Sequence, residues 1–292
     1  MARCKGRYAV NEFVFHRQIL RNLRSVRLLI IVVSTVMLMV IQYWTTYHAR
    51  YRIEESAPTF LKDVMLFNPY GSASTLYLYL LPFFAALIGG SVWAVEERTG
   101  RLLNMLPREG RSTLLRTSML SGFVLGGLGG VLPLVVNLLV AAIRTPHMSF
   151  IDGTSVDANG MGLGKYVLID ASSWAYPLYR TSQLLLIATI LLLVFVLSGS
   201  FALLALGASL FIRRKHVELL VPFVVSLVWW MLPALTGGMV PDEWSQIIFL
   251  NFSHWDAPGT AWRNYMGMLL MTVGMTGCTL VLARMKESRD VL

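Results

Sequence analysis

The chain has 292 residues, 55% hydrophobic and 14% charged, with a formal net charge of +9 and a mean hydropathy of +0.61. Soluble domains carry about 25% charged residues, so this balance excludes an ordinary water-soluble globule and points to the bilayer. The basic excess would also suit nucleic acid, but it collects in alternate connections between apolar segments, which is a topology signal and not a nucleic-acid footprint.

A bilayer crossing needs about 20 apolar residues. Six segments qualify: 28–47, 76–95, 117–143, 182–212, 219–236 and 264–283. They predict an all-α integral membrane protein, with residues 1–292 forming a single transmembrane domain. The first span begins late and lacks a small-residue cleavage site, which reads against a cleaved signal peptide. Residues 1–27 precede it. On a helix, Phe15, Ile19, Leu23 and Val26 share one face, and Arg17, Arg21 and Arg24 share the opposite one. This predicts an N-terminal amphipathic helix lying in the membrane interface, its arginines toward anionic lipid. Residues 48–75 form a first outer loop.

The connection after the second span reads "EERTGRLLNMLP", residues 96–107. Glu96, Glu97 and Arg98 leave the apolar stretch. Gly100 and Arg101 follow, then Leu102, Leu103 and Leu106 form an apolar strip on one side of a helix. Pro107 is expected to end that helix, and Arg111 lies just beyond. The predicted element is a short helix over 96–111 at the membrane edge. Within the third span Gly122, Gly126 and Gly130 recur every four residues, a small-residue stripe that lets two backbones approach closely in lipid. Its simpler reading is packing inside the chain; the other is a subunit interface. Asn137, near Pro133, is read as satisfying backbone groups freed by the proline, or as lining a transport path.

The longest outer loop, 144–181, is rich in Gly, Asp and Asn and is expected to consist of turns. Its "NGMGLGKY" resembles a phosphate-binding loop but lacks the first glycine and the final Ser/Thr that motif needs. "RRKHVE" joins the fourth and fifth spans. Arg213, Arg214 and Lys215, with Glu218, read as a stop-transfer cluster or as a second, smaller cytoplasmic contact. The last outer loop, 237–263, mixes Trp with acid and suggests a surface helix or re-entrant turn capping an outer vestibule.

Eighteen Lys/Arg fall in the N-terminal segment, the two connections just described and the C-terminal tail, against seven on the other side. Positive-inside logic therefore puts both termini in the cytoplasm. Trp44, Trp174, Trp229, Trp230, Trp244, Trp255 and Trp262 all fall at or beyond the outer ends of spans, as an aromatic belt would. Cys4 and Cys278 both lie toward the cytoplasm, and no disulfide is expected.

Glu-Glu-x-x-x-Arg is a spacing used by diacidic membrane proteases, so an intramembrane hydrolase using Glu96 and Glu97 is one reading. Such enzymes pair it with Phe-x-x-x-His and His-x-x-x-Asn/Asp. None of His16, His48, His147, His216 and His254 has Phe four residues before it or Asn/Asp four after. No convergent imidazole or thiolate set offers a metal site, and "LSGS" at 197–200 departs from the rhomboid pattern. The spans hold almost no ionisable residue, which weakens a proton- or sodium-coupled carrier and favours an external energy source.

With Glu96, Glu97, Arg98, Gly100, Leu102, Leu103, Leu106, Pro107 and Arg111 between the second and third of six spans, the chain resembles the ABC-2 family of transporter permeases. Their pattern there is Glu-Glu-Arg, Gly, a leucine-rich turn, Pro and a following basic residue. This chain departs by a shorter interval from Gly to Pro and by Leu103 where many members carry an acid. The resemblance implies a non-enzymatic permease subunit of the prokaryotic plasma (inner) membrane that exports an amphipathic or hydrophobic compound, such as a peptide antibiotic, drug or lipid. It implies two copies of a cytoplasmic ABC ATPase as partners, which hold the ATP and Mg, and a second permease subunit. Residues 96–111 would be the coupling helix, its leucines in a groove on the ATPase and its charges setting register. A non-transporting membrane immunity or scaffold protein is the competing reading.

Overall fold

The computed structural model describes residues 11–48, 51–54, 64–68, 71–144, 153–157, 162–166, 169, 173–212, 216–252 and 262–289. Six of its helices are long and apolar enough to cross a membrane: Val26–Thr46, Ala73–Gly90, Arg111–Arg144, Gln183–Ser209, Val217–Leu235 and Trp262–Ser288. This is a multi-pass membrane protein. Each span overlaps the corresponding segment expected from the sequence.

Helix α1, Glu12–Leu23, starts where the Asn11 side chain accepts a hydrogen bond from the Val14 N–H. A break at Arg24–Ser25 separates it from α2, Val26–Tyr47. The second span is not one straight helix. It comprises α3, Ala73–Ala85, a π-helical turn over Ala86–Gly90, and then α4, Val92–Arg98. Helix α5 spans Arg101–Glu109 and α6 spans Arg111–Arg144. Beyond them come α7, Tyr176–Thr181, α8, Gln183–Ser209, α9, Leu220–Leu235, α10, Gln246–Phe249, and α11, Trp262–Arg289. The helical body is accompanied by a small antiparallel sheet that the turn-rich sequence did not suggest. Strand β2, Gly153–Asp157, pairs with β1, Tyr51–Glu54, and with β3, Gly162–Tyr166. The 144–181 segment is thus part strand and part helix.

Helices α6 and α8 form the centre, with the π turn packed on both. The glycine stripe is the reason. A Cβ added at Gly126 would stand 2.2 Å from the Ala202 Cβ, one at Gly130 would meet the Ser198 side chain at 2.0 Å, and one at Gly122 would meet the Gly89 carbonyl at 3.0 Å. The stripe therefore packs inside the chain, with α6 against α8 and the π turn. Hydrocarbon supplies no aqueous driving force between helices, so such close backbone approach supplies the dispersion energy that holds spans together.

Many hydroxyls inside the spans are satisfied by their own helix, while Gln42 Nε2, Ser74 Oγ and Ser198 Oγ are buried without a partner among the described residues. Thr35, Thr45, Thr189, Ser200, Thr276 and Thr279 donate to carbonyls four residues earlier. Tyr77 donates to the Gly130 carbonyl at 2.8 Å. Asn137 is buried and accepts from the Met65 N–H at 2.8 Å. That bond fastens the turn over 64–68 to α6, a structural bond made to Met65 and not to a backbone group freed by Pro133.

At the far end from α1, indoles tie connections together. Trp174 donates to Phe249, Trp229 to Trp244 and Trp244 to Arg263, all at main-chain carbonyls. Helix α10 is folded into the body, with Gln246 fully buried and bonded to Ser226 of α9. Where a surface helix or re-entrant turn is expected, α10 is instead buried, with Gln246, Ile247 and Phe249 out of solvent. Exposed Leu29, Val33, Val36, Met37 and Val40 line the outer face of α2, a surface suited to lipid and not to water.

Gly126→Ala should lower stability in detergent by roughly 1–3 kcal/mol through overpacking. Gly274→Ala, where an added Cβ meets nothing within 4 Å, should be neutral or slightly stabilising. Equal thermal melting of the two variants would sink the packing role assigned to the stripe.

Candidate functional site

The chemistry-bearing side chains gather at the α1 end of the bundle. Helix α1 docks there on α6 through a polar face. Val14, Gln18 and Asn22 are its buried residues, and Gln18 donates from Nε2 to the Ser118 Oγ at 3.0 Å while its Oε1 accepts from Ser121 at 2.6 Å. The Asn11 N–H adds a bond to Thr117 Oγ1 at 3.2 Å. The expected apolar stripe is split, with Phe15 and Ile19 half-buried, Ile19 packed against the main core, and Leu23 exposed. Phe13 and Leu20 face outward.

Two ion pairs cross this end. Glu96, only 3% exposed, binds Arg21 of α1 at 2.6 Å. Arg98 binds Glu218, 1% exposed, at 3.0 Å. Glu218 sits in a 3₁₀ turn, Val217–Leu219, entered through His216 at φ 69°, a left-handed conformation rare for histidine. A third arginine, Arg27 at the start of α2, donates to Ser91, the residue that closes the π turn. Arg27 is attracted by Glu218 and repelled by Arg98 and Arg21. Buried carboxylates persist only with such compensation. Helix α4 and its N-cap Ser91 are thereby tied to the leads of two spans, the first through Arg21 of α1 and Arg27 of α2, and the fifth through Glu218.

Helix α5 hangs between two glycines. Gly100 has φ 69° and Gly110 has φ 75°, regions where a Cβ is strained. The expected continuous helix over 96–111 is therefore two pieces with a left-handed joint. Pro107 does not end α5, which runs through it to Glu109 and stops at Gly110. The apolar side of α5 is partly claimed by the chain itself. Leu102 is buried in a cluster with Trp93, Leu114, Leu115 and Leu206, and Met105 and Leu106 pack against it half-buried. Leucine 102 is not free to grip a partner. Facing outward are Glu97, Arg101, Asn104 and Pro107. Leu103 lies in α5, and Arg111 begins α6 half-buried.

Glu96 and Glu97 do not converge, since the first is buried against Arg21 and the second is exposed. Among the described residues no three His, Cys, Asp or Glu side chains assemble as metal ligands. Glu218, read as a second cytoplasmic contact or part of a stop-transfer cluster, is buried, with Oε1 paired to Arg98 and Oε2 out of solvent without a hydrogen-bond partner among the described residues. Arg213, Arg214 and Lys215 lie outside the described residues. Sequence reasoning missed Gln18, Asn22 and Arg27. The available signal was Gln18 and Asn22 at i and i+4, two amides in line on a short helix. A scan against protein-family models and a search of curated proteins each return no match.

Glu96→Gln should cost roughly 1–3 kcal/mol of stability, less than breaking a fully buried pair, because the Arg21 side chain keeps 25% exposure. A double-mutant cycle with Arg21→Met should show non-additivity of about 1 kcal/mol or more. Additive single effects would mean that the pair does not hold α1 to α4.

Proposed function

We propose that the chain is the permease subunit of an ABC exporter of the ABC-2 type, moving an amphipathic or hydrophobic compound with energy from separate ATPase subunits. The observation that carries this reading is α5. It is a nine-residue helix between the second and third spans, slung between Gly100 and Gly110 at one end of the bundle. Its root α4 is ion-paired to the leads of other spans. A short helix that is anchored on one side and polar on the other is a poor catalyst and a good lever.

In this reading both termini and α5 are cytoplasmic in the plasma membrane of a prokaryote, and α1 lies at the membrane interface. The basic bias of that side supports this placement. Two ATPases carrying ATP and Mg dock beneath two permeases. Glu97, Asn104 and Pro107, with Arg101, form the docking surface of α5, while Leu102 and Leu106 transmit the push inward. A displaced α5 pulls on α4, and the Glu96–Arg21 and Arg98–Glu218 pairs pass the motion to α2 and α9.

Glu97→Arg combined with Pro107→Arg alters only exposed positions. It should reduce co-purification with a co-expressed partner ATPase by roughly tenfold or more, since misplaced charge at a complementary surface is costly. Membrane insertion should be unchanged. Undiminished co-purification and unchanged transport would overturn the assignment of α5.

A further inference from the structure

Glu218, at the lead of the fifth span, lies in the field of two arginines and is bonded to one. Arg98, the last residue of α4, reaches its Oε1 with Nη2 at 3.0 Å. Arg27 is the other cation. The π turn packs against the 3₁₀ turn that carries Glu218, and Ser91, which closes the π turn, accepts from Arg27 Nη1. Among the charges acting on Arg27, Glu218 acts most strongly, ahead of Arg98 and Arg21. Arg27 thus spends a charged donor on a neutral hydroxyl, while the carboxylate that attracts it keeps Oε2 buried and bare among the described residues. Bonds between ions are the stronger kind, and a buried acceptor left bare is costly.

Moving Arg27 from Ser91 to Glu218 removes both deficits. Ser91 is not stranded by the move, because its hydroxyl keeps its own bond to the Leu87 carbonyl at 3.0 Å. Nor is Arg98, whose side chain is 27% exposed and is taken up by water. Every group has a partner in either arrangement, as a bistable element requires. The 3₁₀ turn is entered through His216 in its left-handed conformation, which persists only while the surroundings hold it, and Arg98 is a holder. We propose that Glu218 is the centre of a latch with two positions. In the present one Arg98 holds Glu218 and Arg27 holds Ser91. In the other Arg27 holds Glu218, Ser91 is released and Arg98 turns to solvent. The latch hands the lead of the fifth span from α4 to α2 and frees the N-cap of α4 at the same moment. Arg98 stands two residues before the Gly100 joint, so a displaced α5 acts on it directly. That use rests on the exporter reading; the exchange itself does not.

The test needs no ATPase, so its failure leaves the exporter reading standing, and failure to bind an ATPase leaves the latch standing. Amide hydrogen exchange over residues 86–94 is followed in the full-length protein in detergent. Arg98→Gln leaves Glu218 to Arg27, so this segment, no longer clamped through Ser91, should exchange roughly tenfold faster. Adding Glu218→Gln should bring exchange back to the wild-type rate, because Arg27 then returns to Ser91. A pair that only holds the structure gives the opposite order, with the double variant the looser of the two. Ser91→Ala reads the latch from its other side and removes only a hydroxyl, so it decides the matter where Arg98→Gln does not fold. It should raise the modification of Arg98 by phenylglyoxal about threefold, read by mass spectrometry, as the population shifts to the second position. Unchanged exchange in Arg98→Gln, no restoration by Glu218→Gln, or unchanged Arg98 modification in Ser91→Ala would each overturn the proposal.

Discussion

Glu96 holds the α1 end of the molecule together. Its carboxylate is nearly out of solvent, so it must be paid for by a counter-charge, and Arg21 is the residue that reaches it. That requirement fixes where α1 sits, and the position of α1 fixes the entry of α2. The parallel pair between Arg98 and Glu218 does the same for α9. A terminus of the bundle that would otherwise fray is therefore stitched by two carboxylates, each from a different connection. Neither pair adds much net stability over an apolar substitute, because desolvation offsets most of the attraction. What they add is uniqueness of arrangement.

The middle of the bundle is held by a different principle. Glycines 122, 126 and 130 bring α6 against α8 and the π turn at distances where no side chain fits. Dispersion there depends on shape and tolerates almost no displacement. The molecule thus has a stiff centre and an end held by charges. The end also carries the two left-handed glycines that flank α5. Stiffness in one part and articulation in the other suit a device that must transmit movement without losing its packing.

The spans were legible because twenty consecutive apolar residues have few other uses. The 76–95 segment and the glycine stripe were readable for the same reason, since both signals are local. The ion pairs were not. Arg98 and Glu218 are 120 positions apart, and nothing near either residue names the other. The inward polar face of α1 was not legible either, because nothing in its own sequence shows that α6 offers Ser118 and Ser121 to Gln18. Leu102 and Leu106 were read as a free strip because the sequence of α5 gives no sign that Leu114 and Leu206 stand beneath it. Pro107 was taken as a stop, yet the helix continues past it and yields to Gly110.

The π turn at Ala86–Gly90 has a bearing on how this segment is compared with others. A π turn holds more residues than an α turn, and each residue of an α-helix advances the face by about 100°. Counting by threes and fours therefore stops at Ala86 and restarts at Val92. Aligned against an uninterrupted helix, residues 76–98 require a one-residue gap, and without it Glu96 is assigned to the wrong side. The same extra residue sets the phase that presents Glu96 to Arg21, so a deletion inside the turn acts as a rotation felt at a distance, not as a local loss.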